Sequence, residues 1–200
     1  MISLLLLAAF LQQLPTDAEA DATLKTLKDE LAQRGIEGRV AALKEALKTA
    51  HEKVIKAIAD PLSKDADSVR IPAAHALSEV DHPASVQVLL EAIPANLNRP
   101  EVMNAISAAL GTLGWEMAAG PLNELVKKVG ETEVRAILPG VVRALGEIGS
   151  LSSVEVLAEF LVRVQGPRRN PWPNEGPIVS ASENALRTIT GADFRRGTDW

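Results

Sequence analysis

Four stretches of this sequence share one register. Val69-Arg70-Ile71-Pro72-Ala73-Ala74-His75-Ala76-Leu77 is echoed by Val102 to Leu110-Gly111, by Ile137 to Leu145-Gly146 and by Ile178 to Leu186. Aligned on Leu77, Leu110, Leu145 and Leu186, they are spaced 33, 35 and 41 residues apart. Eight positions before each anchor stands a β-branched apolar residue (Val69, Val102, Ile137, Ile178). One before it stands alanine (Ala76, Ala109, Ala144, Ala185), and three after it Val80, Leu113, Ile148 or Ile189. Columns so spaced lie on one helical face. A period of this length marks a chain built from helical repeats.

The alanine beside each anchor predicts close approach of a neighbouring helix, because a larger side chain would hold the axes apart. Gly111, Gly114, Gly146 and Gly149 are expected where a helix stops and the chain reverses. A second apolar helix follows in three units, with faces Val86, Leu89, Leu90, Ile93; Leu122, Leu125, Val126, Val129; and Val154, Leu157, Ala158, Leu161. Each helix pair carries too much apolar surface to stand alone, and stacking supplies the missing partner. The expected fold is all-α, a right-handed α-solenoid of stacked antiparallel helix pairs.

Tetratricopeptide repeats need tyrosine, which is absent, and no unit opens with the Thr-Pro-Leu-His of ankyrin repeats. The Val69 to Leu77 motif, with Ala-Leu-Gly at 109–111 and 144–146, resembles the short HEAT-like repeats of bacterial proteins over roughly residues 67–190. The repeats fall at about 67–98, 101–130 and 131–165, with a partial one at 177–190. In the third, Val134-Arg135 comes three positions early and Pro139-Gly140 interrupts the first helix, which predicts a kink.

Residues 1–20 read as a secretory signal. Leu4 to Leu7, Ala8, Ala9, Phe10 and Leu11 form a short apolar core, and Ala18-Glu19-Ala20 is a small-x-small cleavage site, with the cut expected after Ala20. The n-region has no lysine or arginine, and a buried N-terminal helix is the competing reading. Export is the expected localisation, periplasmic or secreted, with no membrane span in the mature chain. The absence of cysteine excludes thiol catalysis and disulfides.

Residues 21–62 are expected to form a helix hairpin capping the solenoid. Leu24, Leu27 and Leu31 mark a short helix stopped by Gly35. Val40, Leu43, Leu47, Val54 and Ile58 mark a longer one ending at Asp60-Pro61. The longer pattern is almost heptad, so coiled-coil self-association is a second reading.

The three histidines are few enough to test one by one. His75 and Glu79 would share a helix face, with Asp81 and His82 beyond, but no His-Glu-x-x-His or second ligand cluster completes a metal site. His75 shares its column with Ala108, Arg143 and Asn184, as an exposed position would. No nucleophile elbow or phosphate-binding glycine loop is present, and no strand is predicted to carry one. No enzyme activity and no cofactor are expected. The net charge is −5, and the second-helix columns Gln87, Asn123, Glu155 and Glu91, Lys127, Glu159 mix signs. No nucleic-acid partner is expected, since that needs a basic stripe.

The 41-residue spacing holds one insertion, Gly166 to Pro177, whose prolines and glycines forbid a continuing helix. Trp172 stands between two prolines, with Arg168 and Arg169 upstream. Tryptophan and arginine dominate interface energetics, and proline flanks reduce the entropy lost on binding. Arg168, Arg169 and Trp172 are therefore the candidate partner-binding residues. In the competing reading Trp172 folds back as a plug over the last helix junction. The tail 191–200 offers Phe194 and Trp200 to cover the last helix, and Trp115 reads as an inter-repeat packing residue. The leading functional expectation is a non-catalytic exported scaffold, monomeric or weakly self-associating, that binds an unidentified protein. The alternatives are an accessory subunit holding a small ligand or cofactor in the concave groove, and a lyase-like enzyme with an unrecognised site.

Overall fold

The aligned columns are buried in each unit of the chain. Val69, Val102, Ile137 and Ile178, the four alanines and the four leucine anchors are all in the core, and Val80, Leu113, Ile148 and Ile189 are all half-buried. The computed structural model describes residues 15–128, 135–165 and 176–192. Every regular element among them is helical, with no strand.

In chain order the α-helices are α1 (Asp17–Gln33), α2 (Ile36–Leu47), α3 (Glu52–Ala57), α4 (Ala59–Lys64), α5 (Asp67–Ser78), α6 (Pro83–Asn96), α7 (Pro100–Leu113), α8 (Ala119–Lys127), α9 (Leu138–Ile148), α10 (Ser153–Gln165) and α11 (Gly176–Thr190). A short 3-10 turn, Glu116–Ala118, precedes α8. The chain forms two compact units, residues 1–88 and 89–200.

In residues 1–88, α1 packs on α2 and α3, and α5 packs on α2 and α4. The single long helix expected from Val40 to Ile58 is in fact broken. The backbone of His51 is extended and its Nδ1 accepts the Lys53 N–H at 3.2 Å, which starts α3 afresh. Pro61 does not end a helix either. It lies in the first turn of α4, where its missing N–H costs no hydrogen bond. The break leaves no continuous heptad run for a coiled coil, yet Val54, Ile55, Ile58 and Leu62 all remain fully buried.

Asp65 ties three elements of this unit together. Its nearly buried carboxylate forms an ion pair with Arg39 of α2, and its Oδ1 accepts the Ala66 N–H at 2.8 Å. Its carbonyl accepts the Nε–H of Arg70, a buried arginine on α5, at 2.6 Å.

α1 begins at Asp17, upstream of the expected cleavage point, with a reciprocal cap. Thr16 Oγ1 accepts the Glu19 N–H at 3.3 Å, and the Glu19 carboxylate accepts the Thr16 N–H at 2.8 Å. Asp17 pairs with Lys53 of α3 at 2.8 Å. Both acids sit below their ordinary range, Asp17 through its hydrogen bond from Lys53 and Glu19 through the backbone hydrogen bond from Thr16. A lowered carboxylate stabilises the fold above its unfolded pKa, and that contribution is lost as pH falls through the folded value. Protection of the α1 amides, taken against the intrinsic rate at each pH, should therefore fall below about pH 4, while that of α9, in the other unit, changes little over the same window. An equal fall in both helices would refute this assignment.

In residues 89–200, α9 packs against α7, α8 and α11, and α10 packs against α8 and α11. α7 and α9 run in the same direction, because Asn104 and Gly111 meet Gly140 and Ala144 in that order. Only two of the four repeat glycines end helices. Gly114 and Gly149 adopt left-handed φ of 68° and 74°, and their N–H groups bond back to Leu110 and Leu145. Gly111 and Gly146 instead lie inside helices and are buried at helix contacts. A methyl placed on Gly111 would meet the Ala144 Cα at 3.2 Å, and one on Gly146 would meet the Ala185 Cα at 2.8 Å. The glycine after one anchor thus seats the alanine before the next, twice in identical register. Near Pro139 the chain turns at Ala136 and Ile137 and α9 starts at Leu138, so Pro139 falls in its first turn; the residues before Arg135, where the expected helix would begin, lie outside the described residues.

Candidate functional site

The seat of Gly146 on Ala185 brings the axes of α9 and α11 close together and floors a groove of about 470 Å³. Arg143 and Glu147, one turn apart on α9, form one wall. Ser180, Asn184 and Thr188 of α11 face them, and Pro139 and Pro177 stand at one end. All five polar residues are exposed. The Asn184 Oδ1 accepts a hydrogen bond from Arg187 Nη1 at 3.0 Å. The groove offers a cation, a carboxylate, two hydroxyls and an amide, and no nucleophile paired with a base. That suits reversible polar recognition rather than covalent chemistry.

The residues expected to bind a partner, Arg168, Arg169 and Trp172, lie outside the described residues, as do Phe194 and Trp200. The insertion is shorter than its composition suggested, because Gly176 and Pro177 form the first turn of α11. Trp115 is half-buried at the turn after α7.

Two of the three histidines serve as helix caps. His51 Nδ1 caps α3, while its Nε2 lies 3.6 Å from Asp17 Oδ1. His82 Nδ1 accepts the Ala84 N–H at 3.0 Å at the start of α6. The Pro83 that follows His82 was the available signal, since proline favours the first helical position. His75 is exposed on α5, as are the residues of its column. Among the described residues no three His, Asp or Glu side chains are grouped to hold a metal ion, and no helix is long and apolar enough to cross a membrane.

One polar cluster was not legible in the sequence. The buried Ser150, in the turn after α9, donates its hydroxyl to Glu116 Oε1 at 2.5 Å, and its Oγ lies 2.6 Å from that of Ser152. Asn123 Nδ2 of α8 reaches the Ser152 carbonyl at 3.4 Å. A serine held by a carboxylate alone has no imidazole to take and return its proton, so this is a tie between consecutive turns and not a catalytic triad. Beside it Met117 is 49% and Leu151 76% exposed. On the second-helix face, Lys127 is held above its ordinary pKa by its hydrogen bond to Glu124, with Glu159 and Glu155 adding attraction. That face is mixed in charge.

Comparison with known proteins finds no family model that matches this chain and no curated relative that matches it.

Proposed function

We propose that this chain is an exported, non-catalytic HEAT-like α-solenoid that binds another protein and acts as a monomer or weak self-associate. The observation that carries the reading is the repeated seat of Gly111 on Ala144 and of Gly146 on Ala185. A contact copied from one unit to the next is how a stacked array propagates, and arrays of this kind work by displaying extended surfaces. Absence of a nucleic-acid partner remains part of the proposal, supported by the mixed charges around Lys127. Affinity capture from the exported fraction tests the reading, with the Arg168/Arg169 and Trp172 substitutions as controls. Trp172→Ala is expected to reduce capture of a specific protein about 10-fold or more with thermal unfolding unchanged. Unfolding at lower temperature with capture unchanged would instead favour a tryptophan plug.

The α9/α11 groove favours a second reading, an accessory subunit holding a small polar ligand. Its mark would be a ligand-dependent rise in melting temperature that Arg143→Ala abolishes.

A further inference from the structure

Resting on the export reading above, we infer that folding of α1 closes the Ala20–Asp21 bond to leader peptidase, so that processing and docking of this helix exclude each other. A peptidase that selects small residues on either side of an intervening one must reach both of those side chains and the bond that follows. Ala18, Glu19 and Ala20 instead form the first turn of α1. The Ala20 N–H donates to the Thr16 carbonyl at 3.0 Å, and the Thr16 hydroxyl and N–H both bond to the Glu19 carboxylate. Ala20 itself is 0% exposed. Lys53 of α3 then grips both sides of the bond, reaching Asp17 upstream at 2.8 Å and Asp21 downstream at 3.0 Å. Beyond it, the hydroxyls of Thr23 and Thr49 lie 3.2 Å apart. Presenting the bond means unwinding this turn, drawing Ala20 out of the core and releasing Lys53.

Cleavage also changes what remains. Water breaks the C–N bond, its oxygen going to the Ala20 carboxyl and a proton to the Asp21 amine. Thr16, Asp17 and Glu19 leave with the leader. The new ammonium stands at a helix N-terminus beside Lys53, where positive charge is disfavoured. A chain cut after docking would therefore keep α1 without its cap, so the cut belongs to the chain before α1 folds.

The test uses the full chain and purified leader peptidase, with release of the chain beginning at Asp21 read by mass. Folded protein is compared with protein diluted from urea directly into the protease, and with Leu27→Asp, which places a charge in the buried face of α1 and leaves the cleavage residues intact. The folded chain is expected to be cut at least about 50-fold more slowly than the freshly diluted chain, as local opening limits access. Leu27→Asp, checked for retained helix by circular dichroism, should be cut at close to the unfolded rate. If the folded chain is cut as fast as the diluted one, or Leu27→Asp is as resistant as the folded parent, the inference is overturned and the export reading stands. If no form is cut at Ala20, the export reading falls and the inference with it.

Discussion

Gly146→Val is expected to destabilise residues 89–200 by about 3 kcal/mol, the upper end of the usual cost of forcing side-chain atoms into a packed contact. The obstacle is backbone: the added Cβ would lie 2.8 Å from the Ala185 Cα and 2.9 Å from its Cβ. Neither atom can turn aside, so α9 and α11 must separate, and the apolar contacts around Leu145 and Leu186 loosen with them. Two other glycines calibrate the result. At Gly111 the first obstacle is the carboxylate end of Glu147, which can rotate away, so Gly111→Ala should cost less, about 1 kcal/mol. Gly149→Ala meets no neighbour but must hold a φ of 74°, a penalty of about 1–2 kcal/mol. Urea unfolding of the three variants ranks them. A Gly146→Val cost no larger than that of Gly149→Ala would show that the helix contact is looser than the backbone geometry implies.

Asp65→Ala is expected to cost about 3 kcal/mol, because it removes a nearly buried carboxylate and leaves the Arg39 guanidinium without its counter-charge. Arg39 keeps some access to water, which holds the penalty to the low end for a broken buried pair. The carbonyl that receives Arg70 belongs to the backbone and survives the change, so the loss reports the two carboxylate contacts, the Arg39 pair and the Ala66 N–H. A double-mutant cycle with Arg39→Met should return a coupling of about 1–3 kcal/mol. The exposed Glu52 and Lys56 pair on α3 is the control and should give less than about 1 kcal/mol. Similar couplings for the two pairs would mean that burial of Asp65 adds nothing.

The sequence was most informative where one requirement recurs. Four anchors in register must meet the same environment, so their period and apolar columns are legible from spacing alone; of the expected second-helix faces Leu90, Val154 and Ala158 are half-buried, Val129 lies outside the described residues, and the rest are buried. It was least informative where one residue type does two jobs. Gly111 and Gly114 stand three residues apart and look alike on paper, but the first lies one position past its anchor, still on the packed face. The second lies four past, where the helix ends. Nothing in Lys48-Thr49-Ala50-His51 breaks a helix by composition, since no glycine or proline is present, and only the histidine cap explains the stop. The link from Ser150 to Glu116 joins residues 34 apart and belongs to no shared column, so periodicity could not announce it. Arg168, Arg169 and Trp172 stand out in the sequence because they occupy an insertion that breaks the register. The α9/α11 groove arises from the register itself, through exposed positions that a search for apolar columns passes over.

The seats at Gly111 and Gly146 also limit how residues 89–200 can move. A helix sliding one turn past its neighbour is a common switching motion, and it requires two alternative registers of similar energy. Sliding α9 by one turn against α11 would carry the side chain of Val142 into the space that Gly146 leaves empty over Ala185, and the backbone there has no room for it. The second register is therefore missing. Relative motion of α9 and α11 is thus confined to shifts that keep Gly146 seated over Ala185.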